Sequence, residues 1–400
     1  MLTHASGEGS ILHSKATVSV MAITLLGAGL PAFATTYGIT ALQDIGGEGY
    51  SVASAINAAG DIVGFSMGTG AVFGAVFWAP DGTATALPEA PRLGLGYSSG
   101  ANGINNQNYI VGYSGTHAVL WRPDGVVTVL QDATGGGSSA AAAINEAGLI
   151  VGSSGGYAVE WSSPDGIPTV LASVGTDYSS GAAAINNAGY IVGSANGPNH
   201  TDAVLWSPDG TATVLRDIGG VGESVASGIN DAGYVVGASA TGGSGEEAVE
   251  WWPDGTATVL KDVGGIGQSV AVGINDAGDV VGYTFRITSE GDQAEAVLWL
   301  PNGTDVVLSP IGGLVKDSSA IAINEDGYIV GALECTFGAY SVSAILWSPA
   351  AGAGGSVSCP SGPPSIMPEA STWAMMLLGF ASLGSAAMLR RRKAVTSTLA

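Results

Sequence analysis

The chain has 400 residues, of which 64 are glycine, 46% are hydrophobic and only 11% are charged. Such a composition excludes a disordered chain, which needs low hydrophobicity and dense charge, and it suits many short strands joined by glycine turns. Between Thr35 and Ile366 lie 6 basic and 31 acidic residues, a balance of −25, which excludes nucleic acid as a partner and favours neutral or cationic ones.

Taken in chain order, residues 1–34 read as a signal peptide. Lys15 precedes an apolar run from Ala16 to Leu30, and Ala32-Phe33-Ala34 places small residues at Ala32 and Ala34, where signal peptidase cuts. Export implies an oxidising compartment. The body, 35–349, opens on Ile39-Thr40-Ala41-Leu42-Gln43-Asp44-Ile45-Gly46-Gly47, which matches Val214-Leu215-Arg216-Asp217-Ile218-Gly219-Gly220 far downstream.

Seven Ile-Asn pairs follow, with asparagines at 57, 105, 145, 186, 230, 275 and 324, spaced by 48, 40, 41, 44, 45 and 49 residues. After each come a glycine or its equivalent three residues on, a β-branched pair with glycine (Ile191-Val192-Gly193) and a tryptophan (Trp78, Trp121, Trp161, Trp206, Trp251 or Trp252, Trp299, Trp347). Five units continue with Pro-Asp-Gly and the sixth with Pro301-Asn302-Gly303. This period marks a repeat fold.

One unit reads as four strands, at 179–185, 190–194, 203–206 and 211–215, with Asn and Asp-Gly at turns that need positive φ. Val204 and Trp206 face one side of the third strand and Ala203 and Leu205 the other, so that strand packs on both sides. The small residues ahead of each Ile-Asn pair suit the crowded axis of a propeller. The fourth strand occurs six times, and unit seven stops after Trp347 without it. The expected fold is therefore an all-β, seven-bladed propeller of four-stranded blades whose N-terminal strand completes the last blade. An open β-solenoid is the alternative. The tryptophans are expected in the blade core rather than on a sugar-stacking platform.

Tight turns occupy one face of such a propeller and variable loops the other. The variable face carries His200, Asp202, Glu246, Glu247, Arg286, Glu290, Asp292, Glu295, Glu334, Phe337 and Tyr340. It is the candidate ligand face, for a polysaccharide or an envelope protein. Asp44, Asp217 and Asp262 open Asp-x-Gly-Gly turns. They could suggest Ca2+, but no D-x-D-x-D-G loop is present, and each is expected to cap its own turn. No cofactor or metal is expected. After the signal peptide the histidines are His117 and His200, in different units, and no G-x-S-x-G elbow exists. We therefore expect a structural or binding protein and not an enzyme; the alternative is a carbohydrate-active hydrolase or lyase working through paired carboxylates. Cys335 and Cys359 could form a disulfide or remain two thiols.

A Gly/Ser/Pro-rich linker spans 350–366, followed by a segment 367–393 that holds an apolar stretch 373–389 and then Arg390-Arg391-Arg392-Lys393. Seventeen helical residues reach about 25 Å, close to the hydrocarbon thickness, so 373–389 is expected to be a transmembrane helix. The basic cluster and the tail 394–400 would stay cytoplasmic. Pro368-Glu369, the Trp373-led apolar helix and Arg390, Arg391 and Arg392 together resemble the PEP-CTERM sorting signal, with Ala370 where that pattern has a second proline. The resemblance implies cutting near Pro368-Glu369 by a membrane exosortase and passage to the cell surface or an exopolysaccharide matrix (a biofilm). The units over 39–347 also resemble the HAF-type extracellular repeat family, through their IN-x-x-G-x-I-V-G and A-V-L-W stretches. That resemblance implies export and little about activity.

Overall fold

The computed structural model describes residues 37–349, apart from 69–71, 91–97, 134, 136, 176–178, 221, 243–244, 265, 289–290, 309–314 and 336–340. The signal peptide, the linker, the sorting signal with its helix, Cys359, Glu290, Phe337 and Tyr340 lie outside the described residues, as does the side chain of Asp292.

Among the described residues there are 28 strands in seven four-stranded antiparallel sheets. This is the expected seven-bladed propeller, which we number blade 1 to blade 7 along the chain. In blade 4 the strands are Ser179–Ile185, Ile191–Asn196, Thr201–Trp206 and Ala212–Val214. The second and third run slightly further toward the variable loops than the sequence pattern suggested. First strands of successive blades lie side by side around the axis, and the short fourth strands are outermost.

The ring closes as expected. Tyr37–Ala41 pairs antiparallel with Ser341–Pro349, and Ile39 lies opposite Trp347. The start of the body is thus the fourth strand of blade 7, which leaves no open array whose end sheets lack a neighbour.

Two glycine positions of the repeat have distinct causes. The Asn-x-x-Gly turn needs a left-handed residue; Gly189 takes it at φ 85° and, in unit two, Asn108 takes it at φ 61°. Asparagine tolerates this region because its short side chain bonds locally. The glycine of Ile-Val-Gly answers to a bulge. Each first strand carries one, as between Ala182 and Ala184. The bulge drives the Gly181 carbonyl oxygen against the second strand, and a Cβ on Gly193 would sit 2.0 Å from it.

Blades pack through both faces of their third strands. Val204 and Trp206 join Val151 and Ala158 of blade 3. Ala203 and Leu205 join Val235, Val249 and Trp251 of blade 5. The seven core tryptophans are 0–3% exposed, which assigns them to the core as expected. Each also staples its blade to the chain leaving the previous one. The Trp206 indole donates to the Ala172 carbonyl at 2.7 Å, and Trp78 donates to Gln43 at 2.8 Å across the closure. Truncating one such side chain costs about 3–5 kcal/mol.

The Ile-Asn signature resolves into a closed ring of side-chain amides. Each asparagine donates through Nδ2 to the main-chain carbonyl of the asparagine in the next blade. The series runs from Asn57 to Asn105 and onward to Asn324, which returns to Asn57 at 3.0 Å. Each Oδ1 accepts the N–H four residues on, as from Tyr190 to Asn186 at 2.9 Å. All seven asparagines are buried, at 2–5% exposure. A buried amide is tolerated when its polar atoms are satisfied, and here one residue type satisfies its own turn and links two blades.

Candidate functional site

The variable face rests on a second repeated device. The third strand outruns the short fourth strand. In every blade an alanine whose carbonyl accepts the last bond from the fourth-strand end has its own N–H left over, and that N–H donates to a serine hydroxyl at the start of the next blade's first strand. Examples are Ala203 to Ser224 at 3.0 Å and, across the closure, Ala344 to Ser51 at 3.0 Å. The loops between blades are then clamped by aspartates. Asp217 Oδ1 accepts from Gly219 N at 2.9 Å and from the Ser239 hydroxyl at 2.7 Å, while Oδ2 accepts from Gly222 N at 2.6 Å. Asp44 does the same with Gly46, Gly49 and Ser66, and Asp262 with Gly264, Gly267 and Thr284. These carboxylates cap their turns, as the sequence reading held, with both oxygens engaged. Among the described residues no group of three or more His, Cys, Asp or Glu side chains could hold a metal ion.

Strand length makes the face uneven. In blades 2 and 3 the second and third strands have five residues each and a two-residue turn. In blade 6 both have nine, in blade 7 seven and nine, and in blade 1 seven each. Blades 6, 7 and 1 therefore stand above the low side. Between blades 7 and 1 an apolar cluster joins Tyr50, Val52, Met67 and Val342, with Phe65 and Phe73 against it. Tyr50 and Phe73 meet edge to face at 5.5 Å, and so do Phe65 and Phe73 at 5.4 Å.

The charged candidates form separate pairs around the ring. His200 Nε2 lies 3.3 Å from Asp202 Oδ2 in blade 4. Arg286 reaches Glu295 at 2.9 Å across the blade 6 hairpin. Glu334 and Asp317 flank the Lys316 ammonium of blade 7, at 3.3 and 3.6 Å. Burial raises the Glu334 carboxyl above its ordinary value, Lys316 draws it back, and Asp317 raises it again. Tyr50 is raised by burial and then by Glu334. Tyr283 is raised by burial and then by Glu246, which brings Glu246 of blade 5 into the field of blade 6. Glu247 lies near Gly267 of the neighbouring inter-blade loop. Cys335 is buried, and among the described residues no cysteine is free.

Sequence reasoning missed the aromatic group, Lys316 and the pair of His117 with Asp132 at 3.6 Å. A signal was present. At the position after Ile-Val-Gly, units 3, 4, 5 and 7 have Ser153, Ser194, Ala238 and Ala332, whereas units 1, 2 and 6 have Phe65, Tyr113 and Tyr283. Departures from the repeat are where the scaffold does not dictate the residue.

No family model matches this sequence, and no curated protein matches it either. Among solved structures the chain is similar to a streptogramin B lyase, with a TM-score of 0.52 and 7% identity over 78% of this chain and 97% of that one. It is also similar to virginiamycin B lyase from Staphylococcus aureus, with a TM-score of 0.53 and 10% identity over 78% of this chain and 99% of that one. At such identities the likeness shows the fold alone: the chain is a seven-bladed β-propeller.

Proposed function

We propose that this is an exported, envelope- or surface-directed propeller that acts by binding, not by catalysis, and that its partner seats on the uneven loop face. One observation carries the reading. The asparagine, serine and tryptophan bonds recur in all seven blades, so the scaffold is uniform, while hairpin length and charge on the loop face differ from blade to blade. Such rigid support beneath variable loops is the usual basis of recognition. The basic residues of blades 6 and 7 are held in ion pairs with Glu295 and Glu334, which supports a recognition surface over a free acid–base couple. The net charge of the body favours a neutral or cationic partner, such as an uncharged exopolysaccharide or an envelope protein.

The sequence features of both ends support export by signal peptidase cleavage after Ala34 and handling of Pro368-Glu369 by an exosortase-type enzyme, with membrane attachment through 373–389 until then. Mass spectrometry of the mature C-terminus tests that route, since an intact mass that retains Arg390-Arg391-Arg392 contradicts it. For the binding reading, paired charge reversals Arg286→Glu and Lys316→Glu are expected to abolish attachment to the envelope matrix or to purified exopolysaccharide without loss of fold. Unchanged attachment contradicts the ligand face. Release of shortened polysaccharide would assign a carbohydrate-active enzyme instead.

A further inference from the structure

The repeat provides its own control for residues that the fold does not need. In the third strand, the position before the core tryptophan is Phe77, Leu120, Leu205, Leu298 and Leu346 in five blades, but Glu160 in blade 3 and Glu250 in blade 5. The position after that tryptophan is Ala79, Arg122, Ser162, Ser207, Leu300 and Ser348 in six blades, but Trp252 in blade 5. Blade 5 thus places a carboxylate and a second indole where the scaffold elsewhere works without them.

These two side chains lie on the same face of the strand, two residues apart. Blade 3 shows the same geometry, where the Ser162 hydroxyl donates to Glu160 at 3.1 Å. In blade 5 Trp252 lies near enough to Glu250 to lower its carboxyl against the effect of burial. Leu205, at the Glu250 position of blade 4, packs toward Val235 and Trp251 of blade 5; Glu250 therefore looks toward blade 6. The Trp252 main-chain N–H donates to the Thr256 carbonyl across the Pro-Asp-Gly hairpin at 2.8 Å, which places this residue at the tight-turn face, opposite the variable loops. Tyr234 meets it edge to face, with ring centroids 5.6 Å apart at 65°.

Trp252 remains 43% exposed. A single exposed aromatic is ordinary on a protein surface; its combination with a half-buried carboxylate that five blades replace by an apolar residue is not. The ring geometry selects the ligand. Tyr234 and Trp252 are in contact, so no space lies between them for a caged ammonium. What remains is an exposed indole in edge-to-face contact with Tyr234, beside an acceptor for hydroxyl groups. A flat apolar face with a few polar groups at its edge matches the C–H face and hydroxyl rim of a pyranose. The charge of the body disfavours an anionic sugar.

We propose that Trp252, Tyr234 and Glu250 form a subsite for an uncharged saccharide on the tight-turn face of blade 5. This site is separate from the loop-face reading and does not rest on it.

The test is native affinity electrophoresis of the full chain in gels containing hydroxyethyl cellulose, laminarin, xyloglucan, galactomannan or dextran, with alginate as the anionic control. At least one neutral glycan is expected to retard the protein, and alginate is not. Trp252→Ser introduces the residue that blade 4 carries as Ser207, so the fold is kept; it is expected to weaken retardation at least about tenfold, and Glu250→Leu to weaken it as well. Glu295→Lys on the loop face should leave it unchanged. Absence of retardation by every neutral glycan overturns the proposal, as does full retardation of Trp252→Ser. If Glu295→Lys abolishes retardation and Trp252→Ser does not, the glycan sits on the loop face: this subsite falls and the loop-face reading stands.

Discussion

The Nδ2 of Asn324 donates to the main-chain carbonyl of Asn57 at 3.0 Å, joining residues 267 positions apart. This bond closes the amide ring at the same seam where Ile39 pairs opposite Trp347 and Ser51 receives the Ala344 N–H. Three independent bonding systems therefore cross one seam, and the closing strand is not the sole link between the ends of the body.

Substitution within the ring should cost more than a surface asparagine does. Asn186→Ala strips the acceptor for Tyr190 N–H, which is part-buried, and the donor to the buried Asn230 carbonyl. Leaving such groups unsatisfied costs about 1–3 kcal/mol. We expect a fall in urea midpoint with an unchanged slope, because the loss lies in the native state. Asn186→Asp keeps the acceptor, loses the donor and sets a carboxylate against a carbonyl oxygen, so it should be at least as costly. An aspartate variant as stable as the native chain would show that the ring bonds contribute nothing.

Removing the closing strand tests the architecture itself. Deletion of 37–42 from the mature body uncovers the third-strand edge at Ile345 and Trp347 and removes Leu42 from its cluster with Val76 and Trp78. A closed ring is expected to lose cooperativity and to expose apolar surface, read as dye binding and a lower Tm in calorimetry. A chain whose repeats stacked linearly would merely fray at one end. A single sharp transition within a degree or two of the full-length body would contradict the closure.

The closing strand could be read in advance because Ile39 to Gly47 repeats Val214 to Gly220, a stretch that ends a blade. The tryptophans were assigned to the core because each unit places one at the same strand position. The asparagine ring was not legible. Asn186 looked like a turn former, which it is through Oδ1, but its Nδ2 partner is 44 residues away and only blade packing brings the two together. Likewise the serines read as small residues suited to the axis, while the Ser224 hydroxyl serves a strand of the preceding blade. The loop face was legible as a place and not as chemistry. Which carboxylate meets which base depends on hairpin lengths, as with Arg286 and Glu295, and no spacing rule supplies those.

Asp217 distinguishes a capping role from an ion site. Its oxygens take two backbone N–H groups and one hydroxyl, all donors, whereas a calcium ion would need those lone pairs. Asp217→Ala is expected to lower stability by about 1–3 kcal/mol through the orphaned donors. The loss should be identical with and without millimolar calcium in differential scanning calorimetry. A native chain whose Tm rises with calcium, and an alanine variant whose Tm does not, would reverse the assignment.

Glu250 carries a pH signature. Burial holds its carboxyl above the ordinary value of 4.5, and a hydrogen bond from Trp252 offsets part of that rise. In the unfolded chain the proton leaves near the ordinary value; in the folded chain it is kept to higher pH. Through that window the native state binds the extra proton, so the contribution of this group is complete below the unfolded value and is lost as pH rises through the folded one. Glu250→Leu removes the penalty of an ionised, half-buried carboxylate and adopts the residue that blades 2, 4, 6 and 7 already use. Its Tm should exceed the native value near pH 7, at about the point where a normal glutamate is fully ionised. The advantage should shrink toward about pH 4 as the native carboxyl regains its proton. A difference that stays flat across that range would mean the leucine acts by packing alone.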